Sequence, residues 1–433
     1  MALETHFADL VERQPELLAH HLTAARDTER AAHQWLKAGR HAAVQSAYLE
    51  AIAHLERGSR PLAFVAGESR PGRMRNRPAT GIRRLSANRQ SSGSPQQRFD
   101  ALYGVWQSTN MSGGSAAASP LSARLLSMTE QEGDDGLRLQ ALHSAWATLA
   151  FAGDPAKTRE HTDAGRLLYD PEKHASHRFV YGSHDPGACA LLLGAWAEWL
   201  LGYPEKALAS SAGSLSLAER IAHPFTLSLA LTFYAVLHLN RRESERALSL
   251  VEAAKALAAE QRLSLPFEPG MVHGAALVGQ GAAEEGIARI REGIRKSTGP
   301  ARPYGLAFLA DGLARHGDRV AALAALQEGL EITRTTGEHG WDAELHRLAG
   351  TVLLAENRLY EGEASLQQAI RIAQAQQAKS LELRAARDLA RLWGEQGRRT
   401  EACDLVAPVY SWFTEGFDTA DLKEAKALLD QLA

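Results

Sequence analysis

His174, His177, His184 and Asp185 form the densest group of potential metal ligands in the sequence. A metal site needs imidazole nitrogens converging on one ion, and the His-x-x-His spacing allows that on one helical turn. Pro171, Gly182 and the run Asp185-Pro186-Gly187 instead make this segment a connection, where histidines serve as turn donors. His20 and His21 stand beside Leu18 and Leu22 in a helical pattern and read as packed or half-exposed side chains. The two cysteines, Cys189 and Cys403, lie far apart inside apolar helical patterns, as reduced, buried thiols do. Ser, His and acidic residues are plentiful, yet no nucleophile elbow or other catalytic spacing joins them. No G-x-x-x-x-G-K-[ST] phosphate loop occurs. The sequence thus names no catalytic residue, no cofactor and no metal ligand, and the chain is expected not to be an enzyme.

The elements around these residues are helical. With 433 residues, 45% of them hydrophobic and 23% charged, the chain has enough apolar side chain for a sizeable core. A net charge of −3 provides no general attraction for polyanions or anionic lipid, so nucleic acid and membrane are not expected partners. The acidic start of MALETHFADLVERQ does not fit a signal peptide. The most apolar run, from Cys189 to Leu201, is interrupted by Glu198 and falls short of the roughly 20 residues that span a bilayer. A cytoplasmic protein is expected.

Small residues recur through the chain in pairs seven apart, on one helical face. Read from the C-terminus they are Ala402, Gly362 with Ala369, Ala322 with Gly329, Gly286 with Gly293, Ala247 with Ala254, and Ala207 with Ser214. Thr158 with Gly165 is a weaker copy. A second set stands twelve residues before each leading member: Ala390, Gly350, Ala310, Gly274, Ala235 and Ala195. Turn signals separate the two sets, among them Gly397, Gly317-Asp318, Gly281 and Gly202-Tyr203-Pro204. Each glycine inside a helix costs roughly 1 kcal/mol relative to alanine, and close helix packing is what offsets it. The pattern predicts an all-α, tetratricopeptide-like α-solenoid, a right-handed superhelix of helix pairs with a period of about 40 residues. Leu422, Ala425, Leu428 and Leu429 make a one-sided stripe suited to a capping helix, with Asp418 and Thr419 offering N-cap oxygens.

Residues 1–58 repeat the hairpin pattern and are expected to form N-terminal helical repeats. Residues 59–120 are expected to be an irregular linker rich in Arg, Gly, Ser and Pro, with a short helical segment near 98–106. Nine arginines stand between 60 and 98 against the single acid Glu68, and 107–120 are poor in large apolar residues. Residues 121–433 are expected to form the solenoid and its cap. Trp146, Trp196, Trp199, Trp341 and Trp393 fall in first helices and read as core, and packing of the terminal helix is likewise the reading for Trp412, Phe413 and Phe417.

Several segments carry a resemblance. They include PELLAHHLTAA (15–25), LYDPEKHASHRFVYGSHDPG (168–187), RPYGLAFLADGLARHG (302–317), GEHGWDAELHRLAGTVLLAE (337–356) and, most specifically, 378–432. Together they resemble the C-terminal tetratricopeptide-repeat region of bacterial predicted AAA/STAND-type ATPases, which are often fused to class III adenylate or guanylate cyclase domains. The resemblance spans most of 1–58 and 98–433, and Met1 would fall near the junction after the ATPase domain. Residues 59–97 and 107–120 depart from that family, which has helices there. The resemblance implies a non-catalytic regulatory scaffold of an ATP-dependent signalling protein. Its partner would be a protein segment or domain held in the solenoid groove, or alternatively a small-molecule inducer bound there.

Overall fold

The computed structural model describes residues 15–25, 27, 30, 31, 34, 35, 38 and 94–433, except 113, 131, 132, 264–267 and 298. The expected linker between 59 and 93 lies outside the described residues. Those described form helices and no strand. In chain order they are α1 (Pro15–Ala24), α2 (Pro95–Ser112), α3 (Gly114–Thr129), α4 (Asp135–Ala152), α5 (Pro155–Leu168) and α6 (His177–Val180). Next come α7 (Pro186–Leu200), α8 (Pro204–Ile221), α9 (Pro224–Asn240), α10 (Ser244–Glu260), α11 (Pro269–Gly279) and α12 (Ala283–Lys296). Then follow α13 (Arg302–His316), α14 (Arg319–Thr336), α15 (Asp342–Ala355), α16 (Leu359–Ala375), α17 (Lys379–Glu395), α18 (Arg399–Trp412) and α19 (Ala420–Leu432).

The chain divides into two units, Met1–Val105 with Ser176–Ser183, and Trp106–Ala175 with His184–Ala433. In the first unit, Leu18, Ala19 and Leu22 of α1 are buried with Ala31, Trp35 and Ala38. Trp35 Nε1 donates to Thr23 Oγ1 at 3.0 Å, so the ring is held by a polar contact as well as by burial. A second cluster joins Phe99, Tyr103 and Tyr181, whose hydroxyl accepts from Gln96 Nε2 at 2.8 Å and donates to Asp100 Oδ1 at 2.7 Å.

The second unit is a two-layer solenoid of tetratricopeptide type. Helices start and stop where local chemistry dictates. Pro occupies the first turn of α5, α7, α8, α9 and α11, where its missing N–H costs nothing. Asp134, Asp154, Asp185 and Asp318 cap helix N-termini with their carboxylates. The turn inside each pair holds one residue at positive φ: Gly153, Gly202, Arg242, Gly281, Gly317, Asn357 and Gly397. Each second helix packs on the first helix of its own pair and on that of the next pair, and the first helices α7, α9, α11, α13, α15 and α17 also meet one another in succession. First helices therefore form the inner layer. Burial follows: every residue of α7 except Leu191 is buried, whereas in the outer helix α10 only Ala247, Val251 and Ala254 are.

All the small residues of the repeat pattern are buried: Ala195, Ala207, Ala235, Ala247, Ala254, Gly274, Gly286, Gly293, Ala310, Ala322, Gly329, Gly350, Gly362, Ala369, Ala390 and Ala402. A Cβ on Gly274 would lie 2.5 Å from the Gly286 carbonyl oxygen, and one on Gly286 would lie 2.6 Å from that of Gly274. Ser214, at one of these positions, donates its hydroxyl to the Ala188 carbonyl at 2.8 Å.

Two expectations change. Residues 107–112 and 114–120 are helical, in α2 and α3, and not irregular. The buried residues in the first half of α3 are small, Gly114, Ser115, Ala118 and Ser122, and the last turn of α14 comes close enough that a Cβ on Gly114 would strike Thr336. A shortage of large apolar side chains here reflects close approach and not lack of structure. At the cap, Leu422, Ala425 and Leu428 are buried, but the Thr419 hydroxyl donates to the Gly416 carbonyl at 2.7 Å instead of capping α19.

Gly274→Ala is expected to destabilise the second unit by roughly 2 kcal/mol or more, because the obstructing atoms are backbone. Gly397→Ala, with φ +80° but open space around its Cβ, is expected to cost only about 1 kcal/mol. Urea unfolding of both variants checks the order. Glu338 is buried at the end of α14, and that burial pushes its carboxyl up to about 7, while a hydrogen bond with Thr336 pulls the other way. Its neutral form is the one the fold prefers, so stability is full below its unfolded value of 4.5 and falls as pH rises through 7. Glu338→Gln is expected to remove that decline, on the order of 3 kcal/mol, in melting curves between pH 5 and about 8.

Candidate functional site

The solenoid of the second unit curls until its ends meet. α3 contacts α14, α4 contacts the 3-10 turn His339–Trp341, and α7 contacts α17. Inner-layer side chains fill the space this leaves. Trp196 lies edge-on to Phe233 at 5.9 Å and to Tyr304 at 5.7 Å, and Trp341 stands 4.3 Å from Tyr304 and 6.2 Å from Trp199, all between ring centroids. Tyr304 Oη donates to Asn240 Oδ1 at 2.7 Å. Burial pushes that phenol well above its ordinary value, so it stays a neutral donor.

Beside the aromatic cluster runs a closed circuit of alternating charges from α15, α17 and α19. Arg347 donates to Glu344 through two nitrogens, both at 2.8 Å, and to Asp388 at 2.7 Å. Asp388 accepts from Arg387 at 2.9 Å, and Arg387 reaches Asp421 at 3.2 Å. Asp421 accepts from Arg384 at 2.7 Å, and Arg384 returns to Glu344 at 3.5 Å. Arg384 also lies over the Trp199 ring at 5.0 Å and donates to the Asn240 carbonyl. Burial alone would raise the carboxyls of Glu344, Asp388 and Asp421, but the facing guanidiniums more than offset it and hold all three below their usual range.

Open space lies where the first and last parts of this unit face each other. A cleft of about 440 Å³ is lined by Ala156, Arg159, Glu160 and Asp163 of α5, Leu201 and Tyr203 of the α7–α8 turn, Gln377 just before α17, Lys379 at its start, and Trp412 ending α18. Tyr203 and Trp412 meet edge-to-face at 5.4 Å, and Arg159 and Lys206 cover the Tyr203 ring at 5.1 and 4.6 Å. A Cβ on Gly202 would come 2.8 Å from the Trp412 ring, so glycine there admits the indole. The Glu415 carboxylate accepts from the backbone N–H groups of Glu205 and Lys206 at 2.9 and 3.0 Å, and Glu205 returns a bond from the Gly416 N–H at 3.0 Å. This reciprocal cap fixes one wall of the cleft. The cleft offers a stacking surface flanked by both signs of charge and no nucleophile–base pair.

The residues picked out by sequence scatter. Asp185 caps α7 and accepts from the Tyr169 hydroxyl at 2.9 Å. His174 Nδ1 accepts from the Asp170 N–H at 3.0 Å and its ring stacks with Tyr169, a turn-forming role. His177 packs edge-on to Tyr181. His184 alone joins other potential ligands: its Nε2 is 3.1 Å from His143 Nε2, with Cys189 close by. His20 and His21 are exposed, His20 lying edge-on to Trp35. Trp146, Trp196, Trp199 and Trp341 are buried, and half-buried Trp393 donates to Glu363 at 2.8 Å. Phe413 is buried, but Trp412 is 37% exposed at the cleft and Phe417 is 49% exposed, so terminal packing does not claim all three. Cys189 is buried, and that burial pushes its thiol up to about 12; Cys403 is half-buried. No helix among the described residues is long and apolar enough to cross a membrane.

No family model and no curated protein matches this chain. Solved structures do. The Rap protein complexed with competence and sporulation factor is 10% identical, with 84% of this chain and 97% of that chain covered and a TM-score of 0.55. The human IFIT1 dimer with m7Gppp-AAAA is 13% identical, covering 96% and 88%, at 0.52. The same dimer with PPP-AAAA is 13% identical, covering 96% and 89%, at 0.51. At these identities the likeness concerns the fold.

Asp388→Asn would leave Arg347 and Arg387 facing a neutral amide. It is expected to cost about 3–5 kcal/mol in denaturant unfolding. Because the circuit's carboxyls are depressed, their contribution is present above the ordinary values of 3.8 and 4.5 and is lost as pH falls through the lower folded values. The acid limb of the stability curve should therefore be shallower in Asp388→Asn than in the unmodified chain.

Proposed function

We propose that the chain is a non-catalytic regulatory scaffold whose cleft binds an extended segment of a partner protein. The observation that carries this reading is the juxtaposition of exposed Trp412 with Tyr203 inside a cleft of about 440 Å³. That volume falls in the range of about 300–1,000 Å³ typical of ligand clefts. An aromatic pair at the centre with charges at the edge is the arrangement of a recognition hot spot. Arg159, Glu160 and Asp163 of α5 together with Lys379 of α17 suit a peptide of mixed charge better than a polyanion. The Rap structure, solved with competence and sporulation factor, offers a parallel within the same fold. The resemblance of 378–432 to the tail of ATP-dependent signalling proteins supports the reading of a regulatory role in signal transduction, in the cytoplasm.

Selection of random peptides on the full chain tests the proposal. The expected winners share an apolar or aromatic anchor flanked by charges, and bind Trp412→Ala and Lys379→Glu roughly tenfold or more weakly, about 1.4 kcal/mol. Peptides that bind these variants as well as the unmodified chain would refute the cleft as their site. Enrichment of no peptide, together with a thermal shift from a metabolite library, would replace the partner segment with a small-molecule inducer.

A further inference from the structure

His143 on α4, His184 just before α7 and Cys189 on its first turns stand 41 and 46 positions apart from the first of them in sequence, yet their ligand atoms all lie within 4.8 Å of one another. From this convergence we infer a binding site for a thiophilic transition-metal ion, zinc(II) in the first place, with His143 Nε2, His184 Nε2 and Cys189 Sγ as its protein ligands.

The donor set suits such an ion. Two imidazoles and a thiolate are the ligands of zinc and copper(I), whereas calcium and magnesium take oxygen. The spacing is close to what coordination requires: bonds of about 2.0 Å to nitrogen and about 2.3 Å to sulfur put tetrahedral ligand atoms roughly 3.3–3.6 Å apart. The two Nε2 atoms, now 3.1 Å apart, need to separate only slightly, and the sulfur to approach by a rotation of its side chain.

Surrounding groups orient the ligands in the way metal sites require. His143 Nδ1 lies 3.0 Å from Gln140 Oε1, an acceptor, so Nδ1 carries the proton and Nε2 presents its lone pair to the site. Trp146 stacks on the His143 ring at 5.1 Å and donates its Nε1–H to Cys189 Sγ at 3.4 Å, a bond that strengthens when the sulfur becomes a thiolate. His184 stacks against Phe225 of α9. Binding forms two nitrogen–metal bonds and one sulfur–metal bond, and the Cys189 thiol proton passes to solvent. With three protein ligands, the fourth position of a tetrahedral ion remains for solvent. The ion would tie α4 to the start of α7, and so the first helix pair to the second.

Titration of the full, chelator-treated chain with zinc(II) and with cobalt(II) as a coloured substitute tests the inference. One equivalent should bind, and the cobalt form should show a thiolate-to-metal charge-transfer band with the intensity of a four-coordinate ion. Cys189→Ser should abolish that band, His184→Gln should weaken binding by roughly tenfold or more, and Cys403→Ser should leave both unchanged. Absence of the band, or a band lost with Cys403 and kept without Cys189, overturns the site. Should Cys189→Ser fail to fold by circular dichroism, the band on the unmutated chain and the His184→Gln titration decide it. Failure of this site leaves the peptide cleft untouched, since the two share no residue.

Discussion

Two helices can touch along their backbones only where neither carries a bulky side chain at the crossing, and the second unit is built on meeting that requirement again and again. Gly274 against Gly286 and Gly350 against Gly362 are its tightest instances, each glycine standing where a Cβ would meet its partner's carbonyl oxygen or the Leu and Ile beside it. The approach has energetic reach beyond the pair. It brings each second helix close enough to lie on the following first helix as well, which fixes the rotation from one pair to the next. Repeated over successive pairs, that rotation brings α7 against α17.

Curling creates an interior that no single pair possesses. Trp196 and Trp199 of α7, Tyr304 of α13 and Trp341 of the 3-10 turn are far apart in sequence, and together they bury one another. The charged circuit solves the matching polar problem. Six ionised groups that would be costly to bury singly are arranged so that each faces two of opposite sign. The cleft at the seam lies beside this interior, and Tyr203 and Trp412 form part of its wall.

The repeat was legible because small residues at fixed spacing are a direct imprint of backbone approach: Ala207, Ala247, Gly286, Ala322, Gly362 and Ala402 could be found without any coordinate. Of the tryptophans read as core, Trp146, Trp196 and Trp199 are buried in first helices and Trp341 in a 3-10 turn, whereas Trp393 is half-buried. The helical nature of 107–112 and 114–120 was not legible, since a search for large apolar residues passes over Gly114, Ser115 and Ala118. Nor was the charged circuit. In α17, Arg384, Arg387 and Asp388 find partners in Glu344 and Arg347 of α15 and Asp421 of α19, too far away in sequence for local spacing to reveal. The cleft depends on the closure of the solenoid. His143 escaped notice because it has no neighbouring His or Cys in the chain; the search for His-x-x-His gathered His174 and His177, which the fold uses to build turns.

The reciprocal cap between Glu205 and the Glu415–Gly416 segment links positions more than 200 residues apart. An open array of repeats is held only by nearest neighbours, so it frays from its ends and can add or lose a unit at little cost. A unit whose first and last parts bind each other has no free end to fray. Its opening becomes a single cooperative event, and its assembly must wait for the C-terminal helices to be made and carried back across a long loop, a slow step set by chain entropy. A protein of this kind gives up the modular growth of a solenoid and gains the all-or-none character of a globular domain.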